Sequence, residues 1–189
     1  MKVLGIIPAR YASSRFPGKP LIDLAGKSMI QRVYEGAKQC KDIHELVVAT
    51  DDQRIFDHVK LFGGNVMMTS ENHLNGTERC GEVIEKYADF DVVLNIQGDE
   101  PLVQAEQLSQ LIQLFEQEDV QIGTLAKEMK EDIANPNRVK VVMDAKGDAL
   151  YFSRSAIPYN KTNTIVYKHI GLYAWRLNIL KKLLQLKPS

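Results

Sequence analysis

Apolar residues fall along this chain in short unbroken runs, separated by stretches in which they recur at helical spacing. Val3-Leu4-Gly5-Ile6-Ile7 is the first run, as expected of a strand buried on both faces. Ser28 then reads as an N-cap, with Met29, Ile30, Val33 and Ala37 repeating behind it as one face of a helix. A second buried strand spans 45–50. A helix carrying Ile55, Val59 and Phe62 follows and closes at Gly63-Gly64. The pattern continues with a strand at 65–69, a helix at 77–86, a strand at 92–96 and a helix at 105–117. In the last of these, Leu108, Leu111, Ile112 and Phe115 share a face. This alternation with short links predicts an α/β fold with a mostly parallel central sheet flanked by helices.

Past about residue 122 the rhythm changes. Short β-like pieces at 123–126, 139–143, 149–153 and 169–175 have few helices between them, and a terminal helix is expected at 177–186. A small mixed, partly antiparallel β extension is predicted there. No internal repeat, low-complexity stretch or clear linker interrupts the chain, so a single domain over 1–189 is expected, with a change of character near 122.

Composition narrows the classes. The 189 residues are 44% hydrophobic and 25% charged, a globular balance. Lys plus Arg and Asp plus Glu each number 24, giving zero formal net charge, which speaks against nucleic acid as a partner. The apolar run after Met1 stops at Pro8, too short for a signal peptide or a membrane span, so a cytoplasmic protein without membrane association is expected. Cys40 and Cys80 have no metal-ligand spacing and read as buried, unpaired thiols.

In an open α/β sheet, ligands bind beyond the carboxyl ends of the strands. After the first strand comes Pro8-Ala9-Arg10-Tyr11-Ala12-Ser13-Ser14-Arg15-Phe16-Pro17-Gly18-Lys19-Pro20, where Arg10, Arg15 and Lys19 offer donors and charge for phosphate oxygens. It is no Walker A loop, which needs Gly-Lys-Ser/Thr directly before a helix. A solvated basic loop is the plain alternative, and the position after a buried strand tips the balance toward an anion site. The fourth strand ends at Gln97-Gly98-Asp99. Asp99 suits Mg²⁺, which takes one or two protein carboxylates beside substrate phosphates, or else it caps a turn. At His73-Leu74-Asn75-Gly76-Thr77-Glu78-Arg79, Gly76 permits close approach of a flat base, and a capping box accounts for the same residues. Asp51 reads best as a helix N-cap. Arg154 could pair with a sugar carboxylate, whereas His169 alone is more often structural.

Together these segments resemble the 3-deoxy-D-manno-octulosonate cytidylyltransferase family. The loop from Ile7 to Leu21, the His73–Arg79 and Asn95–Pro101 blocks, Leu150-Tyr151-Phe152-Ser153-Arg154-Ser155-Ala156-Ile157-Pro158 and Lys168-His169-Ile170-Gly171-Leu172-Tyr173 occur in the family's order. The resemblance covers nearly the whole chain and implies a Rossmann-like nucleotidyltransferase fold. Residues to about 122 would bind nucleotide, and about 123–189 would serve sugar binding and dimerisation. It implies CTP and the eight-carbon acid sugar KDO as substrates, CMP-KDO for lipopolysaccharide biosynthesis as product, Mg²⁺ as cofactor and a homodimer. It puts Arg10, Arg15, Lys19, His73, Gly76, Thr77 and Gln97 on CTP, with Arg10, Lys19 and Asp99 catalytic and Asp99 on the metal. Arg79, Gln97, Arg154, His169 and Tyr173 fall on the sugar side. Alternatives are a CMP-sugar synthetase for a sialic-type acid or 8-amino-KDO, and a non-catalytic nucleotide-binding module. Three departures stand out: Asn75 occupies a position where the family usually has Ser, and 159–167 is shorter than the family's loop. The family also continues several tens of residues past the match to Ser189, where it carries a Glu-Gln pair and a second metal-binding Asp.

Overall fold

The computed structural model describes residues 1–12, 16–159 and 164–186. Arg15 and residues 160–163 of the short loop lie outside them. The buried runs form β1 (Val3–Ala9), β2 (Glu45–Thr50), β3 (Val66–Met68) and β4 (Val92–Asn95), parallel in the order β3-β2-β1-β4. Between them run α1 (Met29–Lys38), α2 (Gln53–Leu61) and α3 (Gly76–Lys86), and α4 (Ala105–Gln113) follows β4. Ser28 Oγ accepts from Gln31 N at 3.2 Å, so the predicted cap of α1 is present. The other cap differs from expectation. Asp52, not Asp51, caps α2 by accepting from Arg54 N at 3.0 Å, which leaves Asp51 for another task.

Leu4, Ile6, Val47, Ala49 and Val93 on one sheet face pack with Cys80, Val83 and Ile84 of α3. Leu180 of α5 (Leu177–Leu183) completes that layer. The other helices bury Ile30, Val33, Ile55, Leu108 and Leu111, none of which joins this cluster. Leu4 and Ile6 are fully inaccessible, so cutting either to Ala would cost about 2–5 kcal/mol. Cys40 and Cys80 are buried and unpaired, as expected; burial raises the Cys80 thiol far above its usual range and keeps it protonated.

The chain forms two compact units, Met1–Gly123 with Leu172–Ser189, and Thr124–Gly171. The end of β8 (Val166–Arg176) and α5 belong to the first unit, where β8 pairs antiparallel with β4. A strand pattern reveals a strand but not its neighbour, which is why 169–175 did not disclose this. In the second unit β6 (Lys140–Met143) and β7 (Ala149–Ser153) form an antiparallel pair, and β6 also pairs with the start of β8. β5 (Ile122–Met129) pairs with β8 as well. Lys140 is fully buried in the second unit, its ammonium donating to the carbonyls of Asn135 (3.0 Å), Arg138 (2.7 Å) and Arg154 (2.6 Å). Those three bonds satisfy a charge that burial would otherwise forbid.

Two helices end early. The helix expected over 105–117 tightens after Gln113 into a 3₁₀ turn, Leu114–Glu116, and α5 stops at Leu183. Such last turns are common where the final carbonyls lack partners.

Candidate active site

The carboxyl ends of β1 and β4 open into a cleft of about 450 Å³ in the first unit. Arg10, Lys19, His73, Gly76, Thr77, Arg79, Gln97, Asp99 and Tyr173 all line it. They come from β1's trailing loop, the turn before α3 and its first turn, the loop after β4, and β8. Arg154 and His169 belong to the second unit and are not among the lining residues.

Backbone geometry brings the cationic loop round. Gly18 adopts φ 72°, a left-handed conformation natural to glycine, and its N–H donates to Tyr11 O at 2.9 Å, closing the loop before Lys19. The Arg54 guanidinium lies 3.3 Å from the centroid of the Tyr11 ring. Arg54 itself is held by Asp52, donating from Nε (2.9 Å) and Nη2 (2.6 Å), and these bonds draw the Asp52 carboxyl below its usual value. The loop is thus anchored to the start of α2 through a cation–π stack. Nothing in local spacing pointed to Arg54, because its partner lies 43 positions earlier in the chain (54 minus 11).

Across the cleft, Lys19 Nζ donates to Asp99 Oδ2 at 2.7 Å. The loop bearing Asp99 reaches this position because Gly98 packs against β1: a Cβ there would stand 2.6 Å from Pro8 O. Only glycine fits so close an approach. Both partners stay substantially exposed, at 38% and 53%, so the pair adds little to stability and can part when a ligand arrives.

The α3 entrance is capped, as the capping alternative has it. Asn75 Oδ1 accepts from Glu78 N at 2.9 Å, and Glu78 Oε2 accepts from Leu74 N at 2.8 Å. Asn75 thus performs the capping task Ser would. Gly76 and Thr77 in the first helical turn border the cleft, where unpaired amides carry partial positive charge.

Arg79 lines the cleft but is buried and bound by protein acceptors. It is 3% exposed, and its guanidinium donates to Asp51 Oδ2 (2.6 Å), Thr69 Oγ1 (2.5 Å) and Ser70 O (3.2 Å). It ties the end of β2 to α3 beneath the cleft. His73 Nε2 donates to Glu82 Oε2 at 2.6 Å, and Ser70 N donates to the same oxygen at 2.8 Å. Burial works to raise the Glu82 carboxyl, but these bonds outweigh it and leave the group below its ordinary value. Burial raises the Tyr173 phenol, which therefore stays neutral and able to hydrogen bond. In the second unit burial lowers His169, whose Nε2 lies 3.0 Å from Thr124 Oγ1. Arg154 Nη1 donates to Pro136 O at 3.0 Å.

A match to the cytidylyltransferase family model covers residues 4–189. The 3-deoxy-manno-octulosonate cytidylyltransferase of Parabacteroides distasonis is 50% identical over 205 residues, covering all of this chain and 80% of its relative. The same-named protein of Acaryochloris marina is 51% identical over 194 residues, covering 100% and 79%. The chain belongs to the 3-deoxy-manno-octulosonate cytidylyltransferase family. A solved structure of CMP:2-keto-3-deoxy-manno-octonic acid synthetase complexed with CTP superposes with a TM-score of 0.95 at 43% identity, covering this whole chain and 80% of that one. The 4-diphosphocytidyl-2C-methyl-D-erythritol synthase of Anaerococcus prevotii, 15% identical with a TM-score of 0.64, shares the fold.

Proposed function

We propose that this chain transfers the cytidylyl group of CTP to KDO, giving CMP-KDO and pyrophosphate for lipopolysaccharide biosynthesis. The observation that carries the proposal is the convergence of Arg10, Lys19 and Asp99 in one cleft, in a chain of this family. The anomeric hydroxyl of KDO attacks the α-phosphorus of CTP in line; a new P–O bond forms as the bond to the β-phosphate oxygen breaks, and pyrophosphate leaves. Such chemistry asks the protein chiefly for positioning and charge neutralisation. Arg10 and Lys19 balance the negative charge on the triphosphate and on the leaving pyrophosphate. Gly76 and Thr77 offer backbone donors to the nucleotide, and Gln97 and Tyr173 offer uncharged hydrogen-bonding groups beside the acceptor.

A metal ion fits the donor set. Among the described residues no three His, Cys, Asp or Glu side chains cluster to make a closed site, whereas the half-exposed Asp99 offers one carboxylate to the open cleft. Asp99 would hold Mg²⁺, which when bound supplies charge neutralisation and lowers the pKa of an oxygen nucleophile. The reaction is placed in the cytoplasm, since both proposed substrates are small water-soluble anions; no helix among the described residues is long and apolar enough to cross a membrane. A homodimer formed through the second unit is supported by β7, which leaves Leu150 and Tyr151 each 64% exposed. The test is direct: CTP, Mg²⁺ and KDO with the protein should release pyrophosphate and yield CMP-KDO. No product under any Mg²⁺ concentration would count against the assignment.

A further inference from the structure

Asn95 ends β4 on the floor of the cleft and is only 5% exposed. Its Oδ1 is buried without a hydrogen-bond partner, and no side-chain bond to any described residue holds its amide. Its neighbours are treated otherwise. Arg79 and His73, which line the same cleft, are tied to protein acceptors. Asn95 stands directly opposite Tyr173 in the antiparallel β4–β8 register, so both side chains project to the same side, and both line the cleft. A methyl group at Gly76 would lie 3.6 Å from Asn95 Nδ2, which places the amide just below the first turn of α3.

A buried, unpaired amide destabilises a protein, and native structures nearly always satisfy such groups. Where one persists at a binding cleft, its natural partner is a bound ligand or the water that the ligand displaces. The terminal torsion of an Asn side chain is broad and two-fold, so an amide without internal bonds can turn its oxygen toward the cleft. We propose that Asn95 is a substrate-reading residue: its amide oxygen accepts from an O–H or N–H donor of a bound substrate. The donor is a hydroxyl of the acidic sugar or the exocyclic amine or ribose hydroxyl of the nucleotide. This inference rests on the proposed reaction and adds a group that neither charge nor loop sequence marks.

Asn95→Leu separates this role from a structural one, because Leu matches the volume and removes the polar atoms. The free variant should melt at or above the wild-type temperature, since it loses an unsatisfied group. Its kcat/KM should nevertheless fall about tenfold or more, as expected when a site loses a hydrogen bond it was built to make. A KM rise confined to KDO assigns the sugar hydroxyl; one confined to CTP assigns the nucleotide donor. Asn95→Ala, smaller still, repeats the test by the rise in melting temperature that CTP or KDO alone induces. That rise should shrink for one substrate only. Unchanged KM values with unchanged ligand-induced shifts in either folded variant overturn the proposal, as does a variant with lowered melting temperature and wild-type affinity. Absence of product from the wild-type protein would instead tell against the reaction, and the two failures are distinct.

Discussion

Lys19 and Asp99, 80 positions apart, meet at 2.7 Å across the mouth of the cleft. Each is the other's placeholder: the ammonium suits a phosphate oxygen and the carboxylate suits a divalent cation. An exposed pair of this kind contributes about 0–1 kcal/mol, so its geometry is better explained by ligand exchange than by stability.

Lys19→Ala should therefore reduce turnover by about a hundredfold or more while raising the KM for KDO far less, and leave thermal stability nearly unchanged. Steady-state kinetics with CTP and KDO varied in turn, beside a melting curve, checks this. Wild-type turnover in a folded variant would remove Lys19 from the mechanism.

Asp99→Asn keeps the size of the side chain and removes its charge. Magnesium-dependent turnover should disappear with circular dichroism unchanged, and no excess of Mg²⁺ should restore it. A variant with the wild-type magnesium titration would show that the metal is held elsewhere.

Asp51 and Arg79 form the buried counterpart, with the guanidinium 3% exposed and Nη2 donating at 2.6 Å. Asp51→Asn leaves that cation without its charge partner, at a cost of about 3 kcal/mol in urea unfolding. Should stability hold while KDO binding fails, Arg79 is a sugar ligand and not the tie between β2 and α3.

Glu82 predicts a pH signature. Its folded carboxyl lies below the ordinary value of 4.5, because the Ser70 and His73 hydrogen bonds outweigh burial. A lowered carboxyl contributes stability above the unfolded value and loses it as pH falls through the folded one. The stability gap between wild type and Glu82→Gln should be full at pH 7 and close below about 4.5. A gap unchanged down to pH 3 would show that His73 and Ser70 do not hold the ionised form.

Leu150→Asp on β7 tests self-association. If this exposed strand forms the dimer face, the variant should elute as a monomer at concentrations where the wild type elutes as a dimer. Identical elution would place the interface elsewhere.

By itself the sequence determined the parallel strands, the helices between them, the buried thiols and the segments that bear charge, because hydrophobic periodicity and capping are local properties. It even marked most of the cleft, since strand ends in such a sheet must converge on one edge. Only the tertiary structure decided what each charged group faces. Asp51 reads as a cap until Arg79, 28 positions on, is seen to claim it. Arg54 says nothing until its guanidinium stacks on Tyr11, and Asn95 looks like any strand-end amide until its oxygen proves buried and unpaired. The return of β8 beside β4 belongs to the same class. These are relations between distant residues, and the energy of a charge or a polar atom depends on what surrounds it, which no spacing along the chain records.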